Sequence, residues 1–181
     1  MKSLIVLAFL VPGAALAEPR SDRGHVVAIS ASPLHLVLPV AELQVEWLAT
    51  PNFSAAIIGG AGQVTATSSS GDVTFSVIEV GAQVRGYFYG STEGGAFGGA
   101  EVLHVVVDSD DFDGDVTGVG VGTEVAAIAG YKWTWDHFFI DLNGGAGILF
   151  AEATATDGED TSEAKDSQVI PVLNFNLGAS F

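Results

Sequence analysis

Cysteine is absent from the 181 residues, which excludes a disulfide framework and a thiolate metal centre. Positive charge is almost as scarce. Six Lys and Arg face 22 Asp and Glu, a formal net charge of −16. Such a surface repels a phosphate backbone, so nucleic acid is not an expected partner. Long hydrophobic runs are also missing beyond the first residues, although 48% of the chain is hydrophobic and its mean hydropathy is +0.41. A helix that crosses a bilayer needs ~20 apolar residues in succession. Apolar residues this numerous and this dispersed fit strands that carry them at every second position and show lipid only one face.

What is present begins with Lys2, an uncharged apolar stretch from Leu4 to Leu16, and the small-residue triplet Ala15-Leu16-Ala17 just before Glu18 and Pro19. This is the pattern of a secretory signal peptide cleaved after Ala17. Pro12 and Gly13 interrupt its apolar part, which is too short for an anchor. The expected organisation is a signal peptide over 1–17, a periplasmic linker over 18–24 and a single domain over 25–181.

From His25 onward, segments rich in Val, Ile, Thr and aromatics alternate with clusters of Gly, Ser, Asp and Pro. They predict eight strands, near 25–32, 41–50, 53–66, 73–90, 96–107, 117–134, 138–156 and 168–181. Pro51-Asn52, Ser91 to Gly94 and Trp135-Asp136 are short connections, whereas Ser68 to Asp72, Asp108 to Asp115 and Asp157 to Ser167 are longer. Short turns at one end and long loops at the other belong to outer-membrane barrels. The first long connection, Ser32 to Ala41, is apolar and contains Pro33 and Pro39, so strand limits there stay open.

Alternation assigns the faces. In the last strand Leu173, Phe175, Leu177, Ala179 and Phe181 share one face, and Asn174, Asn176, Gly178 and Ser180 share the other. A soluble, lipocalin-like barrel would turn the apolar face inward. Against it, a water-facing exterior carries ~25–35% charged residues, and these strands have few charges and almost no lysine. Most aromatics also fall near the short turns. They predict an interfacial girdle of Trp47, Tyr87, Tyr131, Trp133, Trp135 and Phe138, with the apolar faces outward.

With these features the chain resembles the small outer-membrane β-barrel proteins of the OmpA/OmpX-like group across most of residues 25–181. The most specific match is the strand Leu173 to Phe181. In that group such a strand looks like the signal read by the barrel-assembly machinery, which implies that Leu173, Phe175, Leu177, Ala179 and Phe181 form an assembly signal. The resemblance implies an all-β, antiparallel up-and-down transmembrane barrel of about eight strands, periplasmic termini and outward loops. Outer-membrane lipid, lipopolysaccharide and the assembly machinery are the implied partners of a monomer. One activity is not implied, because a fold of this kind hosts many.

The inward face would carry Glu46, Arg85, Glu101, Lys132 and Asp141 at similar depth. A narrow barrel fills its interior with side chains, and charges kept from water must be paired, so these five are expected to form a structural network. Glu79 and Glu124 lie higher, without an obvious basic partner, and must meet water, a cation or a proton. His25, His35, His104 and His137 lack the neighbouring serine that a lipid A deacylase pattern would want, so no catalytic residue and no cofactor are expected. Asp108, Asp110, Asp111, Asp113 and Asp115 offer oxygen ligands for calcium. Val116 and Gly122 nevertheless stand where an EF-hand needs Gly and Glu, and a solvated acidic loop is the preferred reading. This loop and Asp157 to Ser167 could share bridging divalent cations with lipopolysaccharide. The expected function is a non-enzymatic integral outer-membrane protein with a side-chain-plugged interior and acidic surface loops, in a structural or surface-interaction role. A narrow small-solute pore is the alternative, and a lipid-modifying outer-membrane enzyme comes third.

Overall fold

The structure is a computed structural model that describes residues 24–37, 39–68, 71–112, 116–157 and 160–181. The expected signal peptide and nearly all of the linker lie outside the described residues. Eight strands follow one another: β1 (Val27–Ala31), β2 (Val40–Thr50), β3 (Phe53–Ser68), β4 (Gly71–Ser91), β5 (Gly94–Phe112), β6 (Val116–Trp135), β7 (Phe138–Asp157) and β8 (Asp160–Ser180). Each pairs antiparallel with its sequence neighbour, and β1 returns to pair with β8, so the sheet closes into a ring. A short 3-10 turn, His35–Val37, lies between β1 and β2.

Alternation decides the two faces. Along β2, Val40, Glu42, Gln44, Glu46 and Leu48 are buried while Ala41, Leu43, Val45 and Trp47 are exposed. On β8, Asn174, Asn176 and Ser180 are buried, and Leu173 and Phe181 are exposed. The interior is therefore largely polar and the exterior apolar, with Ile57, Ile78, Val80, Val125, Ile148 and Phe150 all exposed outside. That is the reverse of a soluble barrel.

Three tight turns and the ends of β1 and β8 gather at one end of the ring, the turn end. Asp136 takes a left-handed conformation (φ 58°) in the turn between β6 and β7, which a short polar side chain tolerates better than most. At the opposite end the expected long loops are largely absent. β3 and β4 stay paired to Ser68 and Gly71, β5 and β6 to Phe112 and Val116, and β7 and β8 to Asp157 and Asp160. The segment 160–167, expected as loop, is strand. Thr65 and Thr74 face each other with hydroxyls 3.2 Å apart, and Lys165 pairs with Glu152 across the β7–β8 ribbon at 3.0 Å. Such cross-strand pairs suit a ladder that continues once its register is set. This end is the ribbon end. β1, with 5 residues, and β2, with 11, are far shorter than the 16 to 21 residues of the others.

Candidate functional site

Near the turn end the interior holds a network that crosses the ring. Arg85 on β4 is 2% exposed. Its Nη1 donates to Asp141 Oδ2 at 2.5 Å, its Nε donates to Gln83 Oε1, and Nη1 lies 3.7 Å from Glu46 Oε1. Glu46 on β2 accepts from Lys132 Nζ on β6 at 2.8 Å, from Ser54 Oγ on β3 at 2.6 Å and from Tyr87 Oη at 3.4 Å. Two cations and two carboxylates thus neutralise one another within one desolvated layer, as buried charges require. Phe97 lies under the Arg85 guanidinium at 4.6 Å, and Phe139 under the Lys132 ammonium at 4.3 Å; each ring covers its cation with an attractive π-face.

Glu101 joins the layer differently. It accepts from Gln83 Nε2 at 2.5 Å and from Asn174 Nδ2 at 3.3 Å. Asn174 also donates to Asn143 Oδ1, and Asn143 donates to Asp141 Oδ1. The five charged residues singled out in the sequence are therefore brought to one layer, Glu101 through amides rather than through an ion pair among the described residues. The amides of Gln83, Asn143 and Asn174 were not anticipated as connectors.

The aromatic expectation needs one correction. Trp47, Trp133, Trp135 and Phe138 are exposed on the outer surface near the turns, and Tyr131 is half-buried against Trp133. Tyr87 is buried inside, 4% exposed, beside Phe97. Tyr87 continues the inward alternation of Gln83 and Arg85, and a bulge between Tyr87 and Tyr89 turns Tyr89 outward beside Phe88. Leu173, Phe175, Leu177, Ala179 and Phe181 share the outward face of the β8 end, opposite the buried Asn174, Asn176 and Ser180. Of the acidic run, Asp108 is exposed on β5 and residues 110 and 111 belong to β5; Asp113 and Asp115 lie outside the described residues.

His25 and His137 pack against each other, ring centroids 4.9 Å apart. His25 contacts Glu93 Oε2 through Nδ1 at 2.9 Å, His137 Nδ1 lies 2.9 Å from the Ser180 carbonyl, and His104 Nδ1 lies 2.9 Å from Thr123 Oγ1. His35 enters a second cluster at the ribbon end. Its Nδ1 stands 2.8 Å from Glu42 Oε2 and 3.6 Å from Glu79 Oε1. The two carboxylates, Glu42 first, push the His35 imidazole up to about 10 despite its partial burial. This grouping was not legible as a set: its members lie on a connection and on two strands that do not pair with each other. The unpartnered Glu79 was its only signal.

No protein-family model matches the chain, and no curated protein matches it. The functional reading rests on the arrangement of these residues.

Proposed function

We propose that this protein is a non-enzymatic integral outer-membrane β-barrel whose interior is closed by its own side chains, with structural or surface duties at its acidic ribbons. The observation that carries this reading is the inverted polarity of the ring. Charged and amide side chains are hydrogen-bonded inside, and the outward residues are apolar. On β4 the exposed apolar residues run from Ile78 to Phe88 with no charge on that face, close to the ~9–11 residues that a tilted strand needs to cross a bilayer. Trp47, Trp133 and Trp135 ring the turn end, where amphipathic rings favour the membrane interface. The turn end would face the periplasm and the ribbons the outside.

Two measurements test this. The protein should fractionate with outer membranes and migrate faster on a denaturing gel before boiling than after it. A protease added to intact cells should cut within the ribbon around 157–160 before any turn at 51–52 or 136–137. Recovery as a soluble protein with no heat-dependent shift would overturn the membrane reading, and turn cleavage in intact cells would reverse its orientation.

A further inference from the structure

We propose that His35, Glu42 and Glu79 bind one divalent transition-metal ion of the zinc class at the ribbon end of the ring. One donor atom from each residue lies within 4.8 Å of the other two. Two donors held ~2.0–2.1 Å from a tetrahedral zinc ion stand about 3.3 Å apart. The His35 Nδ1 separations from Glu42 and Glu79, 2.8 and 3.6 Å, bracket that value. The separation between the two carboxylates is within 4.8 Å, so the side chains would close in around the ion as it binds.

The site is built into the ladder rather than scattered on the surface. Glu42 on β2 is in register with Gly60 on β3, and Gly60 is in register with Glu79 on β4. All three positions therefore lie side by side across three strands, with the middle one lacking a side chain. A Cβ at Gly60 would meet Glu79 Oε1 and come within 2.7 Å of its Cγ and 2.8 Å of its Cδ. The Glu79 carboxyl group fills the space that glycine leaves. Both glutamates are 7% exposed. Glu79 Oε1 has no hydrogen-bond partner, and neither does His35 Nδ1, whose approach to Glu42 is an ion contact without hydrogen-bond alignment. The His35 ring approaches this oxygen at 3.6 Å without a hydrogen bond, so the buried carboxylate is incompletely compensated, and an ion held by all three residues would compensate it.

The donor set selects the ion. An imidazole nitrogen with two carboxylates suits zinc and its first-row neighbours, whereas calcium takes six to eight oxygen ligands. Three protein ligands leave a fourth position open. His35 is 18% exposed in its side chain, which provides an entry path from the ribbon end. Occupancy by the ion releases the His35 proton, as metal binding to histidine generally does. The site does not depend on whether the ring lies in a membrane.

The test uses the folded full chain in detergent, titrated with zinc against a chromogenic competing chelator. One zinc per chain is expected in a tight class. His35→Ala, Glu79→Gln and Gly60→Ala should each weaken it at least ~10-fold, the size of loss that even indirect damage to a metal site causes. Gly60→Ala is the sharpest variant because it keeps all three ligands and the net charge while displacing one carboxylate. Glu152→Gln, which removes an exposed acid on β7 away from the cluster, should change nothing. Far-ultraviolet circular dichroism checks that each variant is folded; His35 lies on a connection, so His35→Ala preserves the test if Gly60→Ala fails to fold. X-ray absorption of the zinc-loaded protein should contain one imidazole among oxygen donors. Absence of stoichiometric binding, or equal binding by wild type, His35→Ala and Gly60→Ala, would overturn the proposal in favour of diffuse attraction to an acidic surface.

Discussion

Replacing Arg85 with alanine should lower the stability of the folded ring by about 3–5 kcal/mol, the cost of breaking one side of a buried ion pair, without opening a channel. The guanidinium serves Asp141, Gln83 and Glu46 together and lies over Phe97. Its removal strands Asp141 with a single amide partner, Asn143, among its side-chain hydrogen bonds on the described residues. Unfolding in urea, followed by gel migration, should shift to lower denaturant. Replacing both partners, Arg85→Met with Asp141→Leu, should recover most of the loss, because a hydrophobic pair has no desolvated charge to satisfy. Planar-bilayer recordings supply the other half. An eight-stranded ring is only wide enough for its own side chains, and wild type and variant should both be closed to ordinary solutes. A steady large conductance from wild type, unchanged in Arg85→Ala, would move a pore to first place.

Deleting Phe181 should have a second large effect, on closure of the ring. Strands β1 and β8 are in register only from Ala28–Ser180 to Ala31–Leu177. Phe181 extends that short seam: its N–H donates to the Val27 carbonyl at 2.8 Å, and its own carbonyl accepts from Val26 N at 2.7 Å and from Val27 N at 3.2 Å. Deletion removes three bonds from a seam with few. Phe181→Asp keeps the backbone and places a charge where an exposed ring now stands. Folded, membrane-embedded protein should fall severalfold for the deletion, and for Phe181→Asp if the side chain itself is read during assembly. Normal levels of both folded variants would leave the seam independent of this residue.

Much of this architecture is legible from alternation alone. Glu42, Gln44 and Glu46 against Leu43, Val45 and Trp47 already separate the faces of β2, and scarce charge on the strands points the apolar faces outward. The strand number and the tight turns follow from the Gly, Pro and Asp punctuation. Strand ends at the ribbons were harder. Residues 160–167 combine acids, serine and threonine, a composition shared by loops and by exposed β-ribbons, and only pairing with β7 distinguishes them. Tyr87 has the inward parity of Gln83 and Arg85, and only its nearness to the turn groups it with the girdle; the bulge after it breaks the period-2 rule for Tyr89, which points out. The His35 cluster escaped detection for another reason. Glu42 and Glu79 become neighbours only through the exact register of β3 between them, and Gly60 contributes by having nothing to show in a sequence pattern.

The shortness of β1 leaves most of β8 without a strand on that side among the described residues, although Ser32 Oγ reaches the Phe175 carbonyl. A sheet edge of this length is a template on which another extended chain can align and propagate a fibril. Pro171 lies in the middle of it and has no N–H to lend to a newcomer. Beyond it Glu163, Lys165 and Asp166 are exposed, and two copies aligned in register would set like charges against each other. The proline and these charges oppose self-assembly along the part of β8 that β1 leaves uncovered.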